Sequence, residues 1–506
     1  MEIERQYCIY CRRILHKNKR RKNQWHISCH KSVYGSKSDI IFEGEILYKR
    51  DYQILLELRK EIYDYSIGYR LVKLSNLIHM FENFGYVISN KSVIGLDLKH
   101  QLRSPFYKFI NLQTLYLTHF KEISSDISKL KQLKKLIIKH STLTKIPDQV
   151  GNLPKLEHLE ITGITRITDL PDSIGKFKNL KTFILAPINE TTKITKLPES
   201  MNQLKNLEYF YLSGTAISEL PLGFENLTNL QELYILSRSI TNIPLLMNFK
   251  NLKIFECQAK IDGIPASFSD LTELEELKLY NNKVQILPEI SKLKKLTKIE
   301  IFNTEITHLP LGLSNLHRLK TLSVYQTPLR SLPENIFKLQ ALKNIDFSQS
   351  ELTKLPQKFT FPELKKLNLE RTFITTLPED IFLPLLEELR ISCFMKGIEK
   401  ILSLRILHIT NTLPGKELEE FPTEIFQLHN LVSLDIGTAN FTKIPNNFES
   451  LSKLRMIYLH KTQIRSIQGI PEYLQDKMLL REIVVYVHPD FNFKGIKDIV
   501  NLRIKY

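Results

Sequence analysis

Several residue types that often define a fold or a reaction are scarce in this chain. Its 506 residues include only 5 cysteines, 17 glycines and 1 tryptophan. The cysteine number is small and odd, and Cys257 and Cys393 each stand alone, so the sequence does not predict a disulfide framework. The scattered glycines form no phosphate-binding loop, and neither a metalloprotease nor a serine-hydrolase motif is present. We therefore expect a protein that is not an enzyme.

Long apolar stretches are also missing. No run of the sequence is long and apolar enough for a transmembrane helix, and the first residues, MEIERQYC, lack the apolar core of a signal peptide. These features lead us to expect a cytoplasmic protein without a membrane partner.

The first 37 residues combine the basic charge with most of the cysteines. The chain has a net charge of +17, and residues 1–37 contribute ten Lys or Arg against two acidic residues. Two short pairs, Cys8 with Cys11 and His26 with Cys29, are separated by a loop, which is the spacing of a structural zinc site. Four ligands would leave no open coordination position, so we predict a structural Zn²⁺ that folds this basic module.

The ligand set and the role of this module leave alternatives open. His30 follows Cys29 directly, so Cys8, Cys11, His26 and His30 form a second ligand set; we prefer Cys29 because a thiolate is the softer ligand. The loop between the pairs is basic and contains Trp25, which favours phosphate contacts and base stacking. The other interpretation is a solvated loop whose tryptophan packs on the small zinc core.

Residues 38–92 have the pattern of a cap for the region that follows. Apolar residues at helical spacing predict two helices, one with Ile54, Leu55, Leu58 and Ile62, and one with Leu71, Leu74, Leu77, Ile78 and Phe81. The alternating segment around Asn90 and Lys91 predicts a β-hairpin. A repeat array would otherwise expose an apolar end, and such a helical cap would cover it.

From residue 93 to the end, the chain follows one period. In residues 207–229, leucine-like residues occupy places one, four, six, eleven and fourteen, and Pro221 follows. The same order begins at about seventeen positions, ten of them spaced by 22 or 23 residues. The unit starts are Leu112, Leu133, Leu156, Leu180, Leu207, Leu230, Leu252, Leu274, Leu296, Leu319, Leu342, Leu364, Leu386, Leu404, Leu431, Leu454 and Leu480. Places three to seven predict a short strand whose places four and six point inward.

This schedule resembles that of leucine-rich repeats. Thr or Ser at place nine, together with Leu-Pro at place fourteen, is similar to the Ras-group repeats, to plant disease-resistance proteins and to many prokaryotic repeat proteins. The place-nine residues are Ser141, Thr215, Thr304, Thr327, Ser350, Thr372 and Thr462. The resemblance implies an α/β leucine-rich-repeat solenoid over residues 93–506, with a curved parallel sheet of about seventeen repeats. It also implies protein–protein recognition, often as a signalling scaffold.

The concave face of such a sheet would expose places three, five and seven. Aromatic residues recur there, interspersed with charged ones, as in the hot spots of protein interfaces. The aromatic residues are Tyr209, Tyr211, Tyr234, Tyr280, Phe302 and Tyr325. We predict that they anchor a protein partner, with nucleic-acid binding through residues 1–37 as the alternative function.

Overall fold

A computed structural model describes most of the region from residue 39 onward. The described residues are 39–42, 45–65, 71–73, 84–90, 92–99, 106–188, 194–243, 246–416, 418–437, 439–441, 445, 450–460, 482–486 and 502–505. They divide into two compact units: the described residues up to 207 together with 214–216, and residues 208–213 together with the described residues from 217 onward. Among these residues, every helix is too short or too polar to cross a membrane.

The first unit begins with a small hairpin and a helix. Strands β1 (Asp39–Phe42) and β2 (Glu45–Tyr48) pair antiparallel, and helix α1 (Lys49–Tyr65) follows directly. Ile54, Leu55 and Leu58 are buried, which confirms the first predicted helix and its apolar side. The buried carboxylate of Asp51 accepts a hydrogen bond from the Val93 backbone N–H at 2.9 Å. The helix is thereby joined to the start of the repeat sheet.

The prediction of a second helix is wrong for its first residues. Residues Leu71–Lys73 form strand β3, which pairs in parallel with the beginning of β4 (Phe84–Ser89). Val72 has high strand propensity, and pairing with β4 outweighs the helical spacing of this segment. Leu74, Leu77, Ile78 and Phe81 lie outside the described residues.

The predicted hairpin is confirmed, because β4 and β5 (Ser92–Lys99) pair antiparallel around Asn90.

The first unit continues with the predicted repeats. From β5 onward each strand pairs in parallel with the next, and places four and six enter the core. The further strands are β6 (Thr114–Thr118), β7 (Lys135–Lys139), β8 (His158–Thr162) and β9 (Thr182–Ala186).

The second unit repeats the same parallel arrangement over a longer stretch. Its sheet runs through β10 (Tyr209–Ser213), β11 (Glu232–Leu236), β12 (Ile254–Cys257), β13 (Glu276–Tyr280), β14 (Lys298–Phe302), β15 (Thr321–Tyr325), β16 (Asn344–Asp346), β18 (Lys366–Leu369), β20 (Glu388–Ile391), β21 (Ile406–Ile409), β22 (Ser433–Gly437), β23 (Met456–His460), β24 (Glu482–Tyr486) and β25 (Leu502–Lys505). Every neighbouring pair in this order is parallel and in register. Each repeat of the sequence therefore contributes one strand to the parallel sheet.

The return segments of the repeats are mostly single turns of 3-10 helix. The proline after place fourteen precedes many of them, as at Pro171 and Pro310, and their apolar residues close the core. Phe224 and Leu227, for example, are buried in the return segment that follows Pro221. The turns are Phe106–Lys108, Ser125–Lys129, Asp148–Asn152, Asp172–Lys176, Glu199–Gln203, Phe224–Asn226, Leu246–Asn248, Ala266–Asp270, Leu311–Asn315, Glu334–Lys338, Ile398–Lys400 and Thr423–Gln427.

Two repeats use a strand where most of the others have a helical turn. Strands β17 (Lys358–Thr360) and β19 (Asp380–Phe382) pair in parallel outside the main sheet. Buried Phe359 lies in the first of these strands, and buried Phe361 directly follows it. The repeat pattern does not predict this second sheet, because it specifies inward apolar places rather than the backbone conformation of the return segment.

Hydroxyl groups at place nine connect consecutive repeats. Ser141 is buried, and its Oγ accepts a hydrogen bond from the Phe120 backbone N–H at 3.0 Å while donating to the Lys139 carbonyl at 2.9 Å. The Thr372 Oγ1 donates to the Leu369 carbonyl at 2.8 Å. The bond between Phe120 and Ser141 links two repeats and the Thr372 bond lies within one, so a hydroxyl at place nine can satisfy backbone groups of either.

Candidate functional site

The predicted anchors all lie on one side of the second unit's sheet. We call this surface the sheet face: the side chains at places three, five and seven of β10–β15. Buried and half-buried residues alternate along all six of these strands, as period-two geometry requires. The six aromatic residues named from the sequence are half-buried. They are therefore held by their neighbours while keeping part of each ring accessible.

Three tyrosines form the first aromatic cluster. The ring centroid of Tyr234 lies 5.3 Å from that of Tyr209 and 5.6 Å from that of Tyr211. Tyr211 and Tyr234 are register partners in β10 and β11, so the sheet itself sets their separation. Tilted rings at these distances interact favourably. The cluster is a rigid aromatic surface across two adjacent repeats.

A second aromatic cluster lies further along the same face. Phe302 and Tyr325 are register partners, and their rings stack with centroids 4.7 Å apart. Tyr280 is the register partner of Phe302 on the other side. The place-seven residues predicted as an aromatic stripe thus occupy three consecutive strands, β13 to β15.

Carboxylates hold the hydroxyl ends of two of these tyrosines. The Tyr234 hydroxyl donates to Glu232 Oε2 at 2.9 Å, and the Tyr280 hydroxyl donates to Glu300 Oε2 at 3.0 Å. Burial, followed by these carboxylates, raises the pKa of both phenols above its usual value. Both tyrosines consequently remain neutral hydrogen-bond donors at physiological pH.

Ion pairs engage the two lysines of the sheet face. Lys278 Nζ lies 3.0 Å from Glu276 and 3.5 Å from Glu256, and Lys298 Nζ lies 2.9 Å from Glu300. Because each lysine has an acidic neighbour, its positive charge is compensated locally. The pKa of Lys278 is raised: burial would lower it, but Glu276 and Glu256 outweigh that effect.

The strands that follow carry a polar network instead of aromatic rings. His408 lies between two carboxylates, with Nδ1 2.8 Å from Glu370 and Nε2 3.2 Å from Asp435. Arg390 contacts Glu388 at 2.8 Å and Glu370 at 3.8 Å. The Glu370 hydrogen bond raises the pKa of His408 despite burial. The pKa of Glu370 is lowered because His408 and Arg390 outweigh its burial.

This network and Glu232 are absent from the sequence-based set of site residues. The sequence-based prediction rests on aromatic residues interspersed with charged ones, and these aromatic residues lie on the outward places. Glu370, His408 and Asp435 occupy the same places in later repeats. Counting places five and seven through every repeat would have found them, whereas a search for aromatic residues does not.

The predicted zinc ligands lie outside the described residues. This applies to Cys8, Cys11, His26 and Cys29, and to the alternative ligand His30. Within the part of the chain that the structure describes, no three His, Cys, Asp or Glu side chains are grouped to hold a metal. Cys257 is buried on the inward side of β12, and burial raises the pKa of its thiol to about 12.

Comparison with known proteins supports the repeat assignment. The model of a leucine-rich repeat region matches residues 151–260 and, overlapping these, 189–311. Those residues form a leucine-rich repeat region. No curated protein matches the chain.

Solved structures share the fold over most of this chain. A leucine-rich repeat protein of Leptospira interrogans is 26% identical, with a TM-score of 0.59 over 76% of this chain and 93% of its own. The Arabidopsis receptor kinase HAESA, in complex with the peptide hormone IDA and a co-receptor, is 22% identical, with a TM-score of 0.56 over 83% of this chain and 80% of its own. An identity of 22%, as with HAESA, shows a shared fold and nothing more.

Proposed function

We propose that this protein is a non-catalytic scaffold for intracellular signalling that binds a protein partner on the concave face of its repeat array. The anchors are Tyr209, Tyr211, Tyr234, Tyr280, Phe302 and Tyr325. The observation that carries the proposal is the pair of half-exposed aromatic clusters on the sheet face. Rigid aromatic rings contribute much of the binding energy of protein interfaces.

The fold is compatible with this function. Parallel repeats present their outward residues as one continuous surface, and the sheet register sets the separation of those residues. HAESA, which has the same fold, is bound to a peptide hormone and a co-receptor. That complex is a precedent for peptide and protein binding by this architecture. The evidence from this protein itself is its pair of aromatic clusters.

A capture experiment tests the proposal. The full-length protein and a Tyr211→Ala/Tyr280→Ala/Tyr325→Ala variant are used to capture proteins from source-cell lysate, with and without nuclease. We expect one protein to be retained by the wild type in both conditions and lost by the variant. Loss of an interface hot spot typically costs about 2 kcal/mol or more.

A matched control uses exposed apolar residues away from the sheet face. Leu222, Ile286 and Leu311 are at least 74% exposed and lie on the connecting segments. The corresponding triple alanine variant is expected to retain the partner. If both triple variants bind as well as the wild type, the sheet face is not the site.

The alternative function is a nucleic-acid-associated adaptor that binds through residues 1–37. The ten basic residues of this segment are the observation that favours it. This function predicts capture that is unaffected by the tyrosine substitutions, collapses with nuclease and disappears when residues 1–37 are removed. Its affinity should also fall steeply with salt.

A further inference from the structure

The sheet face differs in charge from the chain as a whole. The protein is strongly basic, with a net charge of +17. The outward places of β10–β15, in contrast, carry Glu232, Glu256, Glu276 and Glu300 against only Lys278 and Lys298. A cation approaching this protein is therefore attracted to the sheet face and repelled by the protein's overall charge.

The acidic character of this face is structurally maintained. The Tyr234 and Tyr280 hydroxyls hold the carboxylates of Glu232 and Glu300, and both lysines are already paired with glutamates. The carboxylates exceed the lysines by two, so part of the negative charge has no positive partner on the face. Next to the second cluster, Asp346 on β16 is a further carboxylate.

The aromatic rings favour the same kind of ligand. The face of a tyrosine or phenylalanine ring attracts a guanidinium or ammonium group, and neighbouring carboxylates strengthen that attraction. We propose that the sheet face binds an extended, arginine- and lysine-rich segment of the protein partner. This inference rests on the function proposed above and specifies the chemistry of the partner.

The separation of the clusters suits an extended peptide. Tyr234 on β11 and Phe302 on β14 are three strand steps apart, or roughly 14 Å at about 4.8 Å per step. An extended chain spans this distance with about four residues, at roughly 3.3 Å each. Two basic side chains separated by a few residues would reach both aromatic clusters at once.

An unbiased peptide selection tests the inference. A phage-displayed library of random peptides of about ten residues, long enough to cross the face in an extended conformation, is selected on the full-length protein. Each selected peptide is then measured by fluorescence anisotropy against the wild type and the Tyr211→Ala/Tyr280→Ala variant. We expect the tyrosine-dependent peptides to be rich in Arg and Lys, and to bind more weakly as ionic strength rises.

Charge-reversal variants complete the design. We expect Glu232→Lys/Glu256→Lys to weaken these peptides about tenfold or more, because a repulsive contact replaces an attractive one. Glu219→Lys/Glu305→Lys changes the net charge equally at exposed residues outside the sheet face, so only a small effect is expected. Circular dichroism establishes that each variant is folded.

The outcomes separate this inference from the proposed function. Tyrosine-dependent peptides that are neutral or acidic would overturn the basic-partner inference and leave the sheet face as a binding surface. An equal effect of the two charge-reversal variants would also overturn it, since bulk charge would then explain the binding. A selection that yields no tyrosine-dependent peptide would count against both.

Discussion

The residue after many of the repeat strands has a left-handed backbone conformation, and in several repeats its residue type rarely adopts that conformation. Place eight has a positive φ at His119, His140, Gln326, Gln349 and Arg371, and also at Asn281, Asn303 and Asn411. Its N–H continues the strand ladder, for example from Gln326 to the Ser348 carbonyl at 2.9 Å. Asparagine visits this conformation readily, but glutamine and arginine do so only when their surroundings impose it. The sequence therefore does not reveal this position by residue type.

The zinc module is tested by single ligand substitutions. Elemental analysis of the full-length protein is expected to find about one zinc ion per chain, because four ligands close one structural site. We expect Cys8→Ser and Cys29→Ser to lower this value strongly, since each removes a thiolate, whereas His30→Ala should retain it.

Two results would contradict this expectation. If His30→Ala removes zinc and Cys29→Ser does not, the ligand set with two histidines is correct. If the wild type contains less than one zinc ion per chain and the cysteine variants behave like it, there is no zinc module.

At the scale of the elements, the repeat pattern of the sequence predicted the strands of the main sheet. It did not predict strand β3 or the two return segments that form strands. Places four and six are buried in the repeats because the hydrophobic spacing is strict, and Cys257 fits the same rule. Strand β3 was predicted as helix because Leu71 and Leu74 also satisfy helical spacing, and β17 and β19 occupy return segments that the period does not specify. The six aromatic residues lie on the sheet face, and their role as anchors stays a prediction. The carboxylate partner of Tyr280 lies on the neighbouring strand and requires the register, whereas that of Tyr234 lies two residues away on its own strand.

Close packing of consecutive 3-10 turns gives a prediction at this scale. A Cβ added at Gly175 would lie 2.5 Å from the Ser200 carbonyl oxygen of the next turn. We expect Gly175→Ala to destabilise the protein by about 1–3 kcal/mol, because overpacking against backbone forces the two turns apart. Urea denaturation followed by circular dichroism measures the change.

The matched control is Gly263→Ala. Nothing lies within 4 Å of a Cβ at this exposed glycine, so the same substitution should change stability little or increase it slightly. Equal effects of the two substitutions would show that turn packing is not the cause.

At the scale of the whole molecule, the outward places of the second unit divide into two surfaces. β10–β15 carry the aromatic clusters, and the strands from β16 to β22 carry a connected polar network. In a repeat array each repeat contacts its neighbours, so side-chain contacts between strands add to the interfaces that hold the stack together. The His408 network spans β18 to β22 and should therefore contribute to stability rather than only to binding.

The charge of His408 makes this contribution depend on pH. Its pKa is raised above the ordinary 6.5, so its stabilisation is complete below about that pH and is lost as the pH rises through the folded-state pKa. The pKa of Glu370 is lowered from 4.5, so its stabilisation is present above that pH and is lost as the pH falls through its folded-state value. The two contributions overlap fully between about pH 4.5 and 6.5.

Comparison of the wild type with His408→Gln isolates this effect. We expect the variant to be less stable by roughly 1.5–3 kcal/mol at about pH 5.5, since a hydrogen bond to a charged group contributes about that much. The difference should shrink at about pH 8.5, where neutral His408 no longer carries the charge that pairs with Glu370 and Asp435. The measurement is the free energy of unfolding in urea at both pH values.

His317→Gln, at an exposed histidine between repeats, is the control and should give no such difference. A stability difference for His408→Gln that is the same at both pH values would show that His408 acts by packing and hydrogen bonding alone.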